Sequence, residues 1–285
     1  MIEIKSLANI SFDILFTAFE QAFAEYEVQQ DKVQLQRMLK RRGFNSDLSF
    51  AAFENGRIVS FTFNGIGNYY GVLTAYDTGT GTLKEYRGKG LATRIFEYSI
   101  PYLKEAGIQQ YLLEVLQHNT KAVSVYRNIG FEVIREFNYF VEDKDKECTC
   151  LQVHNHVSPY IIKEINIADY PVSDFWDFCP SWQNSFEAIS RAPEVFVTLG
   201  IFAEDILLGY CIFEPQSGDI TQIAVDKGYR RKGIGTLLFE EATKLINSSQ
   251  MKIINTELSC DAITRFLETK KFAVKGKQFE MIKML

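Results

Sequence analysis

The sequence predicts a mixed α/β fold of the α+β-like kind, built as two tandem units, each a largely antiparallel twisted sheet flanked by helices. Three observations carry this. The chain is 285 residues long, more than a single hydrophobic core usually holds. A segment near residue 87 recurs near residue 230. The same order of apolar segments and turn signals surrounds both copies, and it is not the order of a run of βαβ units.

The repeat comes first because a missed repeat mis-assigns a whole fold. "KEYRGKGLATRIFE" from residue 84 aligns with "KGYRRKGIGTLLFE" from residue 227. Lys84/Lys227, Tyr86/Tyr229, Arg87/Arg230, Lys89/Lys232, Gly90/Gly233, Thr93/Thr236, Phe96/Phe239 and Glu97/Glu240 coincide at one offset, 143 positions. Each half opens with a short apolar strand, "IEIKSL" and "YIIKEI", followed by helical stretches. A hairpin comes next, turning at Asn55 and Gly56 in the first half and near Glu204 and Asp205 in the second. Leu91, Ala92, Ile95, Phe96 and Leu103 then recur at helical spacing, as do Ile234, Leu237, Leu238 and Leu245. A strand, a helix ending in "GF" or "KF", and two short strands close each half, by which point the offset has fallen to 141 (Phe131 to Phe272). The basic run "LKRRGF" reads as a helix end, where cations complement the dipole. The boundary falls in the polar stretch at residues 154 to 159, giving domains 1–156 and 157–285.

Composition narrows the function. A net charge of −5 and a pI of about 5.4 offer no basic footprint for nucleic acid. No apolar run is long enough to cross a bilayer, and "MIEIKSLANISF" does not read as a secretory signal. Five scattered cysteines suggest a reducing compartment, so the expected location is cytoplasmic. Cys148, Cys150, His154 and His156 alternate as strand residues do and match no usual zinc spacing, so no metal is expected.

The repeated loop has the makings of an anion site. A helix that begins at Gly90 or Gly233 leaves its first amides without intrahelical partners, with the positive end of its dipole beside them. Arg87 and Lys89, or Arg230 and Lys232, add charge. The nucleotide P-loop is excluded by Leu83 at the position of its first glycine, and the dinucleotide fingerprint by the lack of a βαβ setting. "DTGTGT", just before the first loop, alternates Thr with Gly, and glycine within a strand marks a bulge or a close backbone approach.

"RGKGLA" (87–92) and "RRKGIG" (230–235) resemble the R-x-x-G-x-G/A loop of the GNAT acetyltransferases. The resemblance spans nearly the whole chain as two tandem GNAT units. It implies that acetyl-CoA is bound as cosubstrate, its pyrophosphate on the loop amides and its pantetheine arm beside the preceding strand. The implied cofactor contacts are Thr80, Thr82, Leu83, Arg87, Gly88, Lys89, Gly90, Leu91 and Ala92 in the first half. In the second they are Ile223, Val225, Arg230, Arg231, Lys232, Gly233, Ile234 and Gly235. By the same resemblance, Gly79 and Gly81 lie where the thioester approaches the strand.

"LEVLQHNTKAVSVYRNIGF" (113–131) resembles a stretch found in ribosomal-protein N-terminal acetyltransferases. That similarity implies Glu114 as general base through water, Tyr126 as the acid that protonates the sulfur, and Asn119 as a pantetheine contact. His118 ranks below Glu114 as a base because nothing in the motif supports it. In the second half the same positions hold Asn255, Leu267 and Cys260, so the first half is the expected catalytic unit. The expected acceptor is a primary amine of a small molecule or peptide, drawn by Glu25, Tyr26 and Glu27. Alternatives are transfer of a longer acyl group, a non-catalytic coenzyme A binding or regulatory module, and a second half that serves as a structural lid. A homodimer is left open.

Overall fold

The computed structural model describes residues 1–25, 29–144 and 159–285. The chain forms two compact units, and neither is contiguous in sequence. The first comprises Met1–Arg135, Ser185–Ala192 and Gln278–Leu285; the second comprises Glu136–Asn184 and Pro193–Lys277. The boundary expected at residues 154 to 159 and the Cys148, Cys150, His154 and His156 cluster lie outside the described residues, save for residue 159.

In the first unit, β1 (Glu3–Ser6), β2 (Phe50–Glu54), β3 (Arg57–Tyr69) and β4 (Val72–Thr82) form an antiparallel run. The turn from β2 to β3 is the expected hairpin, with Asn55 and Gly56 both at positive φ. Next to β4 lies β5 (Gln110–Leu116), in parallel. Among the described residues, this part of the chain forms four helices, α1 (Phe12–Ala22), α2 (Lys32–Arg42), α3 (Leu91–Glu105) and α4 (Thr120–Asn128). The basic run does end a helix: Lys40, Arg41 and Arg42 occupy the last turn of α2, which closes at Gly43 in the left-handed conformation. Its start carries a capping box, Asp31 with Gln34. Leu15, Phe19 and Ala22 of α1 pack with Phe61 and Phe63 of β3, while Phe96 and Leu103 of α3 pack with Tyr111 and Leu113 of β5.

In the second unit, β7 (Ile161–Glu164), β8 (Val197–Ala203), β9 (Ile206–Glu214) and β10 (Asp219–Val225) form the antiparallel run, and β11 (Gln250–Glu257) lies parallel to β10. The helices of this unit are α6 (Ile234–Leu245) and α7 (Asp261–Thr269). The helical stretches expected after β7 are instead single 3-10 turns, consistent with Pro171 and Pro180 interrupting the segment. The short helix that follows, α5 (Phe186–Arg191), belongs to the first unit, where Arg191 Nε donates to the carbonyl of Arg41 at 2.8 Å.

The two short strands expected at the end of the second half are one long strand, β12 (Val274–Met284), and the described residues at the end of the first half hold β6 (Glu132–Asp143). These strands exchange partners. β12 pairs along β5, from Gln278 opposite Leu116 to Met284 opposite Gln110, and so completes the first unit. β6 pairs along β11, from Glu257 opposite Phe137 to Gln250 opposite Asp143, and completes the second.

The exchanged strand brings Glu280 into the first unit, where the residue is fully buried. Arg135 Nε and Nη2 hold its two carboxylate oxygens at 2.6 and 2.9 Å, and Nη2 also donates to the hydroxyl of Tyr69. Removing one partner of a buried pair strands the other. Glu280→Ala is therefore expected to destabilise the protein by about 3–5 kcal/mol in urea unfolding, and Glu280→Gln by less.

Candidate active site

Each unit has a β-bulge at the same place in the repeat. In β4 the register with β3 slips at Thr78, the extra residue between Phe63↔Gly79 and Asn64↔Asp77. In β10 it slips at Thr221, between Ile220↔Phe213 and Gln222↔Ile212. Thr221 lies 143 positions after Thr78, the offset of the sequence repeat. A bulge bends its strand and raises the local twist. Accordingly, the parallel pairs part early. β4 and β5 pair only at Thr74, Ala75 and Tyr76, opposite Gln110, Tyr111 and Leu112, and β10 and β11 only at Asp219 opposite Lys252. Beyond these points the backbone edges facing one another have no ladder partner across the gap, leaving donors and acceptors for an extended ligand.

The gap runs to the loop. Gly88 and Gly90 have φ of 77° and 69°, and Gly90 caps α3 with no side-chain bond. A Cβ at either glycine would meet nothing within 4 Å, so glycine serves conformation here. In the second unit, Gly233 caps α6 in the same way at φ 84°, but the counterpart of Gly88 is Arg231, left-handed at φ 64°. The first intrahelical bonds are Arg94 N to Gly90 O and Leu237 N to Gly233 O. The amides of Leu91, Ala92 and Thr93, and of Ile234, Gly235 and Thr236, thus have no intrahelical acceptor. An anionic head with an extended arm fits both loops.

The motif arginines spend their guanidinium donors on the chain itself. Arg87 folds back, with Nε on the carbonyl of Thr82 (3.2 Å), Nη2 on that of Ala22 (3.0 Å) and Nη1 on Glu25 (2.7 Å). Arg230 repeats the bracket on Val225 (3.1 Å), Phe175 (2.9 Å) and Asp177 (2.9 Å). Lys89 and Lys232 lie over the rings of Tyr86 and Tyr229, at 4.5 and 4.8 Å. Glu25 is tied to Lys84 and Arg87, whose hydrogen bonds lower its pKa, so the amine-attracting role expected of it is already taken by the protein's own cations. Tyr26 and Glu27 lie outside the described residues.

The other first-unit positions divide. Leu83 and Leu91 are buried in the core with α1 and β3. Thr82 bonds Ser60 at 2.7 Å, and Thr80 donates to Asp77 at 2.8 Å. Asn119 caps α4, accepting from Ala122 N at 3.2 Å. Gly81 is required by packing: a Cβ there would lie 2.6 Å from Phe61 Cζ and 2.9 Å from Ala22 Cβ. For this glycine the close approach is internal.

Leu113 and Val115 of β5 face α3 and α4. By strand alternation Glu114 points to the other face, where Tyr76, fully buried, hydrogen-bonds to it. Burial, and then the charge of Glu114, push the Tyr76 pKa well up. Glu280 stands directly opposite Glu114 in the register. Tyr126 packs edge-on to Phe96 and Phe131 on the α3/α4 face. Base and acid candidates therefore flank the gap from opposite faces of the sheet. Asp77, a residue the motif reading missed, accepts from the Tyr126 hydroxyl at 3.2 Å and from Gly79 N at 2.9 Å. Burial pushes its pKa up to about 6, against hydrogen bonds from Thr80 and Tyr126 that lower it. Its signal in the sequence was a single acid within "VLTAYDTGTGT".

In the second unit the gap opens into a cavity of about 780 Å³ lined by Ile223, Val225, Arg230, Arg231, Gly233, Ile234 and Gly235 among others. Lys232 is not part of the lining. The counterparts of Asp77, Glu114 and Tyr126 are Ile220, Asn255 and Leu267. Asn255 donates to Ser181 at 2.8 Å, and Tyr210 links Trp176 to Gln222 through 2.7 Å bonds, so these groups are neutral, while Asp177, Arg230, Arg231, Asp261 and Arg265 supply the charge of the lining.

The sequence model of the Acetyltransferase (GNAT) family matches residues 12–131 and 160–263. N-alpha-acetyltransferase 30 of Schizosaccharomyces pombe is 31% identical over 101 residues, 35% of this chain and 67% of that protein. N-alpha-acetyltransferase MAK3 of Arabidopsis thaliana is 27% identical over 99 residues, 34% of this chain and 52% of that protein. Among solved structures, a tandem GNAT protein from the clavulanic acid biosynthesis pathway superposes with a TM-score of 0.74 at 14% identity, covering 100% of this chain and 98% of its own. A GCN5-related N-acetyltransferase from Sphaerobacter thermophilus gives 0.72 at 14%, covering 99% and 95%. At that identity these two show the fold.

Two outcomes are expected from this geometry. Because the native pKa of Asp77 (about 6) exceeds its ordinary value of 3.8, the native state holds more protons between those values, so stability falls as pH rises through that window, by about 3 kcal/mol. Chemical unfolding from pH 4 to 7 reads the slope, which Asp77→Asn should flatten. Separately, Arg231→Gly should stabilise by about 1 kcal/mol by relieving a left-handed non-glycine, and Gly88→Ala should destabilise by a similar amount.

Proposed function

The chain belongs to the GNAT acetyltransferase family, and from that premise we propose that it is an acetyl-CoA-dependent N-acetyltransferase whose first unit performs the chemistry on a primary amine. The observation that carries this reading is the pairing, around the parted β4 and β5, of Glu114 on one face with Tyr126 on the other. When bound, acetyl-CoA supplies an activated acetyl group as a thioester. The amides of Leu91 to Thr93 hold its phosphates, and the open edges of β4 and β5 receive the pantetheine arm, which Asn119 contacts. Glu114 takes the proton the amine loses, directly or through water, and Tyr126 supplies the proton the departing sulfur needs. With Glu280 matched by Arg135, Glu114 beside the Tyr76 ring is the carboxylate of this face that suits an amine better than an anion. The relatives are named as N-alpha-acetyltransferases, which favours a peptide or small-molecule amine.

A second reading concerns the second unit. It retains the loop, the bulge and the parted strands, while Ile220, Asn255 and Leu267 offer neither acid nor base. We therefore assign it a site that holds coenzyme A without turnover.

Calorimetric titration with acetyl-CoA tests both. The intact protein is expected to show two sites, one lost in Ala92→Glu and the other in Gly235→Glu, since a carboxylate in either first turn opposes phosphate. Binding that survives both substitutions would overturn the loop assignment. Tyr126→Phe should lower kcat by about 10²-fold or more, and Leu267→Met should leave it unchanged. Equal rates in the two variants would remove Tyr126 from the chemistry.

A further inference from the structure

We infer that Asp77 is the positioning and proton-supplying partner of Tyr126, so that the leaving group is protonated by a carboxyl–phenol pair and not by the phenol alone. The inference rests on the acetyl-transfer reading above. Its geometric basis is the contact of the Tyr126 hydroxyl with Asp77 Oδ2 at 3.2 Å, at the point where β4 leaves β5. Asp77 is itself fixed. Gly79 N and Thr80 Oγ1 donate to its carboxylate, and the bulge at Thr78 that sets its direction is pinned by Arg42 Nη1 on the Thr78 carbonyl at 2.9 Å.

The repeat supplies an independent argument. At the equivalent positions of the second unit both members are replaced, Asp77 by Ile220 and Tyr126 by Leu267, and both replacements are buried in one apolar cluster. Glu114 is replaced as well, by Asn255, and what joins Asp77 to Tyr126 within that set is the cost of a buried carboxylate without its donor, which is avoided where both are apolar.

The proton balance closes. As the amine nitrogen bonds to the acetyl carbon and the carbon–sulfur bond breaks, Tyr126 gives its proton to the sulfur that leaves with the bonding pair. Asp77, as the carboxylic acid, passes its own proton to the phenolate oxygen. Glu114 takes the proton released by nitrogen, and solvent returns one to Asp77 and removes one from Glu114. The groups around Asp77 set when it holds that proton: Tyr126 from α4, Tyr111 from β5 with its hydroxyl on Asn64 of β3, Arg42 from α2, and Tyr76 and Thr80 of its own strand. Burial favours the protonated form, which is the form the relay uses.

The experiment pairs a titration with kinetics. The carboxyl carbons of 13C-labelled aspartate are followed by NMR from pH 4 to 9 in the wild type and Tyr126→Phe, with Asp77→Asn identifying the signal. In parallel, acetyl transfer from acetyl-CoA to a panel of primary amines and free-N-terminus peptides is measured across the same range. In Tyr126→Phe the Asp77 carboxyl should titrate at a higher pH, having lost a donor to its charged form. Asp77→Asn should lower kcat about as far as Tyr126→Phe, by about 10²-fold, with KM for acetyl-CoA within about twofold, and the double variant should be no slower than either single one. The inference is overturned if the Asp77 titration ignores Tyr126→Phe, if Asp77→Asn keeps wild-type kcat and pH profile, or if the two effects multiply. A wild type that binds acetyl-CoA yet acetylates none of the amines, with the titration coupling present, would overturn the acetyl-transfer reading and the proton-supply role with it.

Discussion

One misfit in a ladder underlies the rest of this molecule: a single extra residue, Thr78 or Thr221, inserted opposite a strand that has none. A parallel pair held in register to its ends would offer no backbone to a ligand, because every donor and acceptor would be consumed across the pair. The bulge bends one strand away after three paired residues in the first unit and one in the second. The arginine bracket then fixes the strand end against the segment before it, so the gap leads directly to the first turn of a helix. Both units repeat the bulge and the bracket at one offset, so these are parts the duplicated fold has kept in common.

What the units do not share is the acid and base positions that flank the gap. Asp77, Glu114 and Tyr126 face Ile220, Asn255 and Leu267 across the repeat. The difference extends to the exchanged strands. The bidentate pair of Arg135 and Glu280 corresponds to Gly276 and Tyr139, where a Cβ on the glycine would lie 2.6 Å from the tyrosine ring. An ion pair in one unit is thus a ring laid on bare backbone in the other. Burying ionised groups is expensive, and the second unit has shed that expense wherever proton transfer would need it.

Much of this was legible in the residues. The duplication, the hairpin turns, the glycine-capped helix starts and the loss of Glu114 and Tyr126 counterparts follow from spacing and identity alone. Asp77 was not singled out, because a lone acid in a strand carries no spacing signal and its meaning depends on α4 delivering Tyr126 to it. Sequence gives Arg87 and Arg230 charge without direction; only folding shows that each guanidinium brackets two carbonyls and a carboxylate of the chain itself. Gly81 was read as room for a ligand and is room for Phe61 and Ala22. The exchange of β6 and β12 had no local signature at all, since a strand's partner is decided by the whole chain.

That exchange bears on how the protein is made. The strand flank that closes the first unit comes from residues 278–285, paired to β5 at residues 110–116. Loop-closure entropy must be met before such a distant pairing is rewarded, and chains rich in such pairings fold slowly. On the ribosome the first unit therefore emerges with one edge of β5 open and with Arg135 awaiting Glu280, an exposed edge of the kind that recruits foreign strands. The first unit can finish folding only after residues 278–285 have been made, so a nonsense codon upstream of residue 278 would disable a half already translated.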